Sequence, residues 1–438
     1  MTSAGSSGPR RQDRRLRLAR EWDEVVARAR RLDGFADFLR PPRLASVMPA
    51  LADGPAVVLN VSRYRCDALV VRTDGVELVP LPGLTAEEAV SEANAHLAAV
   101  RETQEAIEEF AVLRAGFEAG ELPAEAFRRY HEARVRLDDV RRSTEARLAA
   151  VARWMWDAVA EPVLDAVGLR GRPTAEGDWP LLKWCPTGPF TTLPLHAAGH
   201  HGAEAGRSVL DRVVSSYTPT LRALVAAGGA GPRGGTRPVR GGNDGLLLVS
   251  VPEVAGQVQL AGVTAERGLL ERLLPTDMIT VLHGADATRA RVLAELPHHR
   301  WVHFSCHGDQ DVTDPGNGGL LLHDGRLTVT ELAARGHPAD FAFLSACKTA
   351  TGGIALADEV VSLAAALRFT GYRHVLATLW SVYDTAATDV VADVYAALVS
   401  PGGGLVPERS AQALHRAVRG LRDTGPLSSW VPFVHIGP

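Results

Sequence analysis

Cysteine is scarce in this 438-residue sequence: there are four, Cys66, Cys185, Cys306 and Cys347, with no CxxC pair and no dense spacing. That excludes the disulfide framework of small secreted domains and suits a reducing compartment. Long apolar runs are missing too. No stretch approaches the roughly twenty uninterrupted apolar residues that span a bilayer, and the start, MTSAGSSGPRRQDRRLR, lacks the apolar segment of a signal peptide. The expectation is a cytoplasmic protein with no membrane partner. One-sided charge is absent as well: 51 acidic against 47 basic residues leave a net charge of −4, so nucleic acid is not expected as a partner. No GxGxxG or Walker spacing joins a strand to a helix, which argues against a nucleotide site, and no solenoid repeat occurs.

What is present is a chain with 46% apolar and 22% charged residues, enough for a real core and two or three domains. Residues 1–13, rich in Gly, Ser and Arg, read as a mobile tail. From Arg14 the spacing of Leu18, Trp22, Val25 and Val26 predicts a basic amphipathic helix. AVVLNVSRYRCDALVVR and GVELVPLPG, separated by the turn Thr73 to Gly75, read as a β-hairpin. Thr85 and Glu88 fit a capping box opening an Ala, Glu, Leu and Arg rich stretch to about Val159, broken near Gly120, which predicts a long helical hairpin. Residues 14–164 therefore form one region, and 165–438 a second.

In the second region short apolar runs alternate with helical patterns. Runs starting at Leu181, Gly245, Met278, Trp301, Phe341 and His374 are continuous rather than alternating, as strands buried on both faces are. An α/β sandwich with a mostly parallel central sheet follows. The Gly-rich stretch from Gly228 to Gly245 reads as an insertion between strands.

In open parallel sheets, ligands gather at the carboxyl ends of the strands. WVHFSCHGD carries His307 at the end of one run and FAFLSAC carries Cys347 at the end of another, forty residues on, room for a loop, a helix and a return strand. A cysteine nucleophile needs a neighbouring base or imidazolium to populate the thiolate, and a strand-end histidine supplies one without a cofactor. Gly308 adds a backbone N–H close to the pair. Singly, a strand-end cysteine is more often a small hydrophobe and a lone histidine a hydrogen-bonded structural residue, so spacing alone leaves packing and catalysis both open. His303, Cys306, His307 and Cys347 offer zinc ligands, but their spacing is wrong for a closed tetrahedral site.

At these residues the sequence resembles the CHAT peptidases, relatives of caspases, separases and gingipains. HFSCHG resembles the family's histidine motif and LSACKTATGG its cysteine motif. ADEVVSLAAALRFTGYRHVLATLWSVYD, WVPFVHIG, KWCPTGPFTTLPLHAAG and SYTPTLRAL resemble flanking signatures. The resemblance implies a caspase-like three-layer sandwich, preceded here by the β-hairpin and helical hairpin, and a cysteine endopeptidase acting without metal or cofactor. It implies His307 as base or imidazolium partner, Cys347 as nucleophile, and the amides of Gly308 and Cys347 as the oxyanion hole. Asp384 resembles an acidic residue lining the pocket for a basic side chain in separase-like relatives, yet it also precedes a helix as a good N-cap. Trp380 either walls that pocket or packs in the core. Asp358 and Glu359 fit the N-terminal end of a helix. One departure is the run Lys348, Thr349, Ala350 and Thr351 before Gly352 and Gly353, which lengthens the nucleophile loop. The resemblance implies a protein substrate, a bacterial stress or defence setting and a separate sensor protein. The alternative is a non-catalytic caspase-like scaffold.

Overall fold

The apolar runs resolve, in the computed structural model, into an eleven-stranded sheet and a three-stranded one among the described residues. The structure describes residues 7–438 apart from 34, 36–37, 41–42, 119–123, 174–178, 203–205, 229–242, 255–256, 258, 310–314, 335, 337–338, 346–362 and 383. Most of the Gly-rich stretch, the break near Gly120, and Asp358 and Glu359 lie outside the described residues. Two units form, Met1–Val47 and Met48–Pro438. The first holds the expected basic helix, Ser7–Ala29, which starts inside the stretch read as a tail, and a short helix Leu44–Val47. Arg30 Nε donates to the carbonyl of Phe38 at 2.8 Å and closes the turn between them.

The second unit opens with β1 (Ala56–Asn60), β2 (Asp67–Val71) and β3 (Val76–Pro80), an antiparallel meander. The strands β4 (Leu181–Cys185), β5 (Val214–Tyr217), β6 (Asn243–Ser250), β7 (Ile279–His283) and β8 (His299–Ser305) follow. Next come β9 (His307–Asp309), β10 (Gly319–Leu322), β11 (Gly325–Thr328), β12 (Ala339–Ser345), β13 (Tyr372–Thr378) and β14 (Phe433–Ile436). The large sheet runs β3-β2-β1-β4-β5-β14-β13-β12-β8-β6-β7, and β11-β10-β9 forms the small one. It contains two parallel blocks: β1, β4, β5 and β14 on one side, and β13, β12, β8, β6 and β7 on the other. The blocks meet at the antiparallel pair β13 and β14. Because β1 pairs with β4, the N-terminal strands extend this sheet instead of forming a layer of their own.

Successive residues Val302, His303, Phe304 and Ser305 of β8 are all buried. Side chains alternate across a strand, so both faces are covered, as parallel strands require. The helices Ala261–Leu273, Asp384–Leu398 and Ser410–Thr424 lie side by side in one covering layer. Helix Leu363–Thr370 packs beside Val329–Ala333. Core residues include Phe304, Phe341, Leu247 and Trp430, each fully buried, and each such side chain is worth about 1.5–3 kcal/mol of hydrophobic stabilisation.

The helical hairpin is Ala86–Glu118 and Ala124–Met155. Thr85 and Glu88 form the expected capping box: the Glu88 N–H donates to Thr85 Oγ1, and the Thr85 N–H to the Glu88 carboxylate, both at 3.2 Å. Across the hairpin Thr103 and Thr144 hydroxyls meet at 2.7 Å and Arg147 pairs with Glu92. The second helix continues through a π turn, Trp156–Ala160, into Glu161–Ala166, where Trp156, Val159 and Val163 are buried.

Candidate active site

Within the five-stranded parallel block β6 comes first in the chain, and the order reverses between β6 and β8. Such a switch point opens a crevice at the carboxyl edge. The register places Ser250, Ser305 and Ser345 beside one another on that edge, with His283 next to Ser250. Beyond Ser305 the chain bends at Cys306 and enters β9 with His307. Leu321 of β10 pairs with His307 and Leu320 with Gly308, so the small sheet seats both residues just past the end of β8, half-buried. That seat is rigid for identifiable reasons. A Cβ on Gly319 would lie 2.0 Å from the carbonyl oxygen of Leu327, so only glycine fits where β10 meets β11. Thr328, at the end of β11, forms a capping box with Glu331, which also pairs with Arg289.

Cys347 lies outside the described residues, as do Lys348 to Gly353. Its strand is described up to Ser345, which stands opposite Ser305. Trp380 follows the carboxyl end of β13 at the same edge and is buried in the core. His96 of the helical hairpin meets it edge-on, ring centroids 5.2 Å apart and planes at 69°. Asp384 is the first residue of helix Asp384–Leu398.

The sequence reading missed Glu266. This carboxylate, on helix Ala261–Leu273, is 2% exposed and sits over the strand ends. Ser345 Oγ donates to its Oε1 at 2.6 Å, Ser305 Oγ donates to its Oε2, and His303 Nε2 lies 3.2 Å from Oε2. A carboxylate only accepts, so Nε2 carries a proton, and Nδ1 lies 3.0 Å from the Tyr395 hydroxyl. Burial and the Glu266 charge both hold the Tyr395 phenol well above its ordinary pKa, burial first. The signal available in the sequence was spacing. Glu266 falls between Val263 and Leu270 on the stripe that the helix buries.

A family model described as CHAT domain matches residues 149–438, well over half of the chain. The chain belongs to the CHAT-domain family. The match begins within the second helix of the hairpin, upstream of the expected boundary at 165. Separase of Saccharomyces cerevisiae, solved as a complex with securin, is similar in structure with a TM-score of 0.55 and 10% sequence identity. The similarity covers 90% of this chain and 30% of the separase chain. RgpB of Porphyromonas gingivalis, in a complex of its pro- and mature domains, matches with a TM-score of 0.41 and 11% identity. That match covers 64% of this chain and 69% of the other. No curated protein matches the sequence. Together the family match and the separase likeness identify a CHAT domain with a caspase-like α/β sandwich fold.

Cys66, Cys185 and Cys306 are buried, and burial pushes the Cys185 thiol up to about 11. Among the described residues no group of three His, Cys, Asp or Glu is placed to hold a metal ion. No helix among them is long and apolar enough to cross a membrane.

Proposed function

We propose that this CHAT domain is a cysteine endopeptidase that cleaves a protein partner through His307 and Cys347. The observation that carries the reading is the register of β8 and β12: Ser305 and Ser345 are opposite each other, and His307 and Cys347 each follow by two residues. The Cys347 thiolate attacks the peptide carbonyl, and the oxyanion is held by the amides of Gly308 and Cys347. Protonated His307 gives its proton to the leaving amine. Water, deprotonated by His307, then attacks the acyl-enzyme and displaces the sulfur, which restores the thiolate and the protonated His307. Asp384 and Trp380 form the substrate-binding side, where an acidic group suits a basic residue before the scissile bond. No cofactor enters this scheme.

A separate sensor protein, in a bacterial stress or defence pathway, would act through the helical hairpin. Two contacts support this reading. His96 of the hairpin touches Trp380, and Glu145 of the hairpin accepts the N–H groups of Leu427 and Ser428 at 2.9 Å, just before β14. The test is a proteome-wide cleavage map with the active chain, Cys347→Ala and His307→Ala. New protein termini seen only with the active chain are expected. Cleavage persisting in both variants would remove the pair from the chemistry, and no cleavage under any activating condition would leave the scaffold.

A further inference from the structure

We infer that Glu266 is a positioning residue that binds together the strand ends carrying the reactive groups, an inference resting on the reading of His307 and Cys347 as a catalytic pair. Its two oxygens take separate strands: Oε2 receives Ser305 of β8 and Oε1 receives Ser345 of β12. These serines stand two residues before His307 and Cys347. His303 extends the link from Oε2 to Tyr395, which lies on the helix that Asp384 opens. One carboxylate thus joins the segments leading to the base, the nucleophile and the substrate-binding acid.

Packing alone does not explain this arrangement. Glu266 occupies a position between Val263 and Leu270 where an aliphatic side chain would bury without penalty, whereas a buried carboxylate is costly unless its acceptors are filled. Three donors fill it: two hydroxyls and an imidazole N–H. Hydroxyl donors to a carboxylate are short, directional bonds, and they act at the last described ladder position of β8 and β12. A thiolate–imidazolium pair needs its two supports fixed to a fraction of an ångström, and locking the supporting residues is how such precision is reached.

The test reads Cys347 directly and needs no substrate. The full chain is labelled with iodoacetamide over a range of pH, and labelling at Cys347 is followed by peptide mass spectrometry. This is done for the unaltered protein, His307→Ala, Glu266→Gln, Ser345→Ala and the Glu266→Gln/Ser345→Ala pair. Urea unfolding establishes that each is folded. In the unaltered protein Cys347 is expected to titrate below the ordinary thiol pKa of about 8.5, and His307→Ala to abolish that shift. Glu266→Gln should raise the midpoint and slow labelling at neutral pH by about tenfold or more, the response of a thiol losing its thiolate fraction. Ser345→Ala should do the same more weakly and add nothing in the Glu266→Gln background. A merely structural Glu266 would lower the urea midpoint and leave the Cys347 profile of the folded protein unchanged, which overturns the inference. Should Glu266→Gln not fold, Ser345→Ala decides alone by the same criterion. An ordinary titration in the unaltered protein overturns the endopeptidase reading and this inference with it. A shifted titration that needs His307 but ignores Glu266 overturns only the inference.

Discussion

Acidification should unfold this protein before it reaches the pH at which most carboxylates titrate. His96, His196, His415 and His435 are at most 6% exposed, so solvent screens them little. Burial is the leading cause that lowers each pKa from 6.5, to about 4 for His96 and His196 and to about 3 for His415 and His435. Each stays neutral in the folded chain while its unfolded counterpart takes up a proton. Their contribution to stability is therefore fully present above about pH 6.5 and is lost as pH falls toward 4 and then 3. Between pH 6.5 and 5.5 each histidine removes about 1 kcal/mol, so the four together remove about 4 kcal/mol. By pH 4.5 the loss reaches about 9 kcal/mol, comparable with the whole stability of an ordinary domain, about 5–15 kcal/mol. Urea unfolding followed by tryptophan fluorescence at pH 7.5, 6.5 and 5.5 measures the slope directly. A stability that changes by less than about 1 kcal/mol over the lower interval would refute the assignment of these histidines as neutral buried groups. The result bears on function, because the acid limb of any rate profile would then report unfolding and not the titration of His307.

Other outcomes follow from single residues. Cys185, with its thiol near 11, holds about one part in ten thousand as thiolate at pH 7, so Cys347 should take up iodoacetamide at least about 100-fold faster; equal rates would count against an activated Cys347. Lys183 is fully buried, its Nζ 3.2 Å from the carbonyl of Gly54, and burial lowers its pKa from 10.5 to about 8 against the pull of Asp53. Keeping it charged at pH 7 costs about 3 kcal/mol, a penalty present below pH 8 that fades as pH rises toward 10.5. Lys183→Met should therefore raise the urea midpoint at pH 7 and lose most of that advantage near pH 10, and a lower midpoint at pH 7 would contradict the argument. Gly319→Ala drives a Cβ into the Leu327 carbonyl beside the seat of His307, so about 1–3 kcal/mol of stability and most Cys347 reactivity should go together. Unchanged labelling in a folded Gly319→Ala protein would show that the small sheet does not hold the site.

Much of the architecture was legible because it rests on burial. The six continuous apolar runs are the strands β4, β6, β7, β8, β12 and β13, and the Thr85 capping box starts its helix as read. What escaped had weak local signals. The four residues of β5, VSSY, alternate in burial and carry two serines, and β9 to β11 are three or four residues each. That the N-terminal hairpin would join the main sheet depends on β1 meeting β4 across more than a hundred residues, which no local pattern encodes. At the site, the placement of His307 past a buried strand was readable, but that of Glu266 was not, because charged residues on a helix ordinarily face water. Its position on the Val263 and Leu270 stripe was the only clue.

The antiparallel joint between β13 and β14 has a consequence for both halves of the sheet. It turns the carboxyl ends of β14, β5, β4 and β1 to the edge opposite His307. The joint itself is crossed by a chain of hydrogen bonds between polar side chains: His374 Nδ1 to His435 Nε2 at 3.1 Å, His435 Nδ1 to Ser216 Oγ at 2.8 Å, and Ser216 Oγ to the carbonyl of Gly437 at 3.1 Å. Ser216 donates to that carbonyl, so it accepts from His435 Nδ1–H, and His435 Nε2 accepts from His374 Nδ1–H. This sequence of donors works only while the His435 ring is neutral, because its Nε2 must accept, and burial keeps it so. The edge carrying His307 is tied by a carboxylate instead, with Ser305, Ser345 and His303 around it. Acid should therefore open the sheet first at the β13 and β14 joint, where a buried neutral histidine must take up a proton. Hydrogen exchange at pH 5.5 can distinguish the order: amides of β14 losing protection before those of β8 would support it, and simultaneous loss would mean the two halves unfold as one.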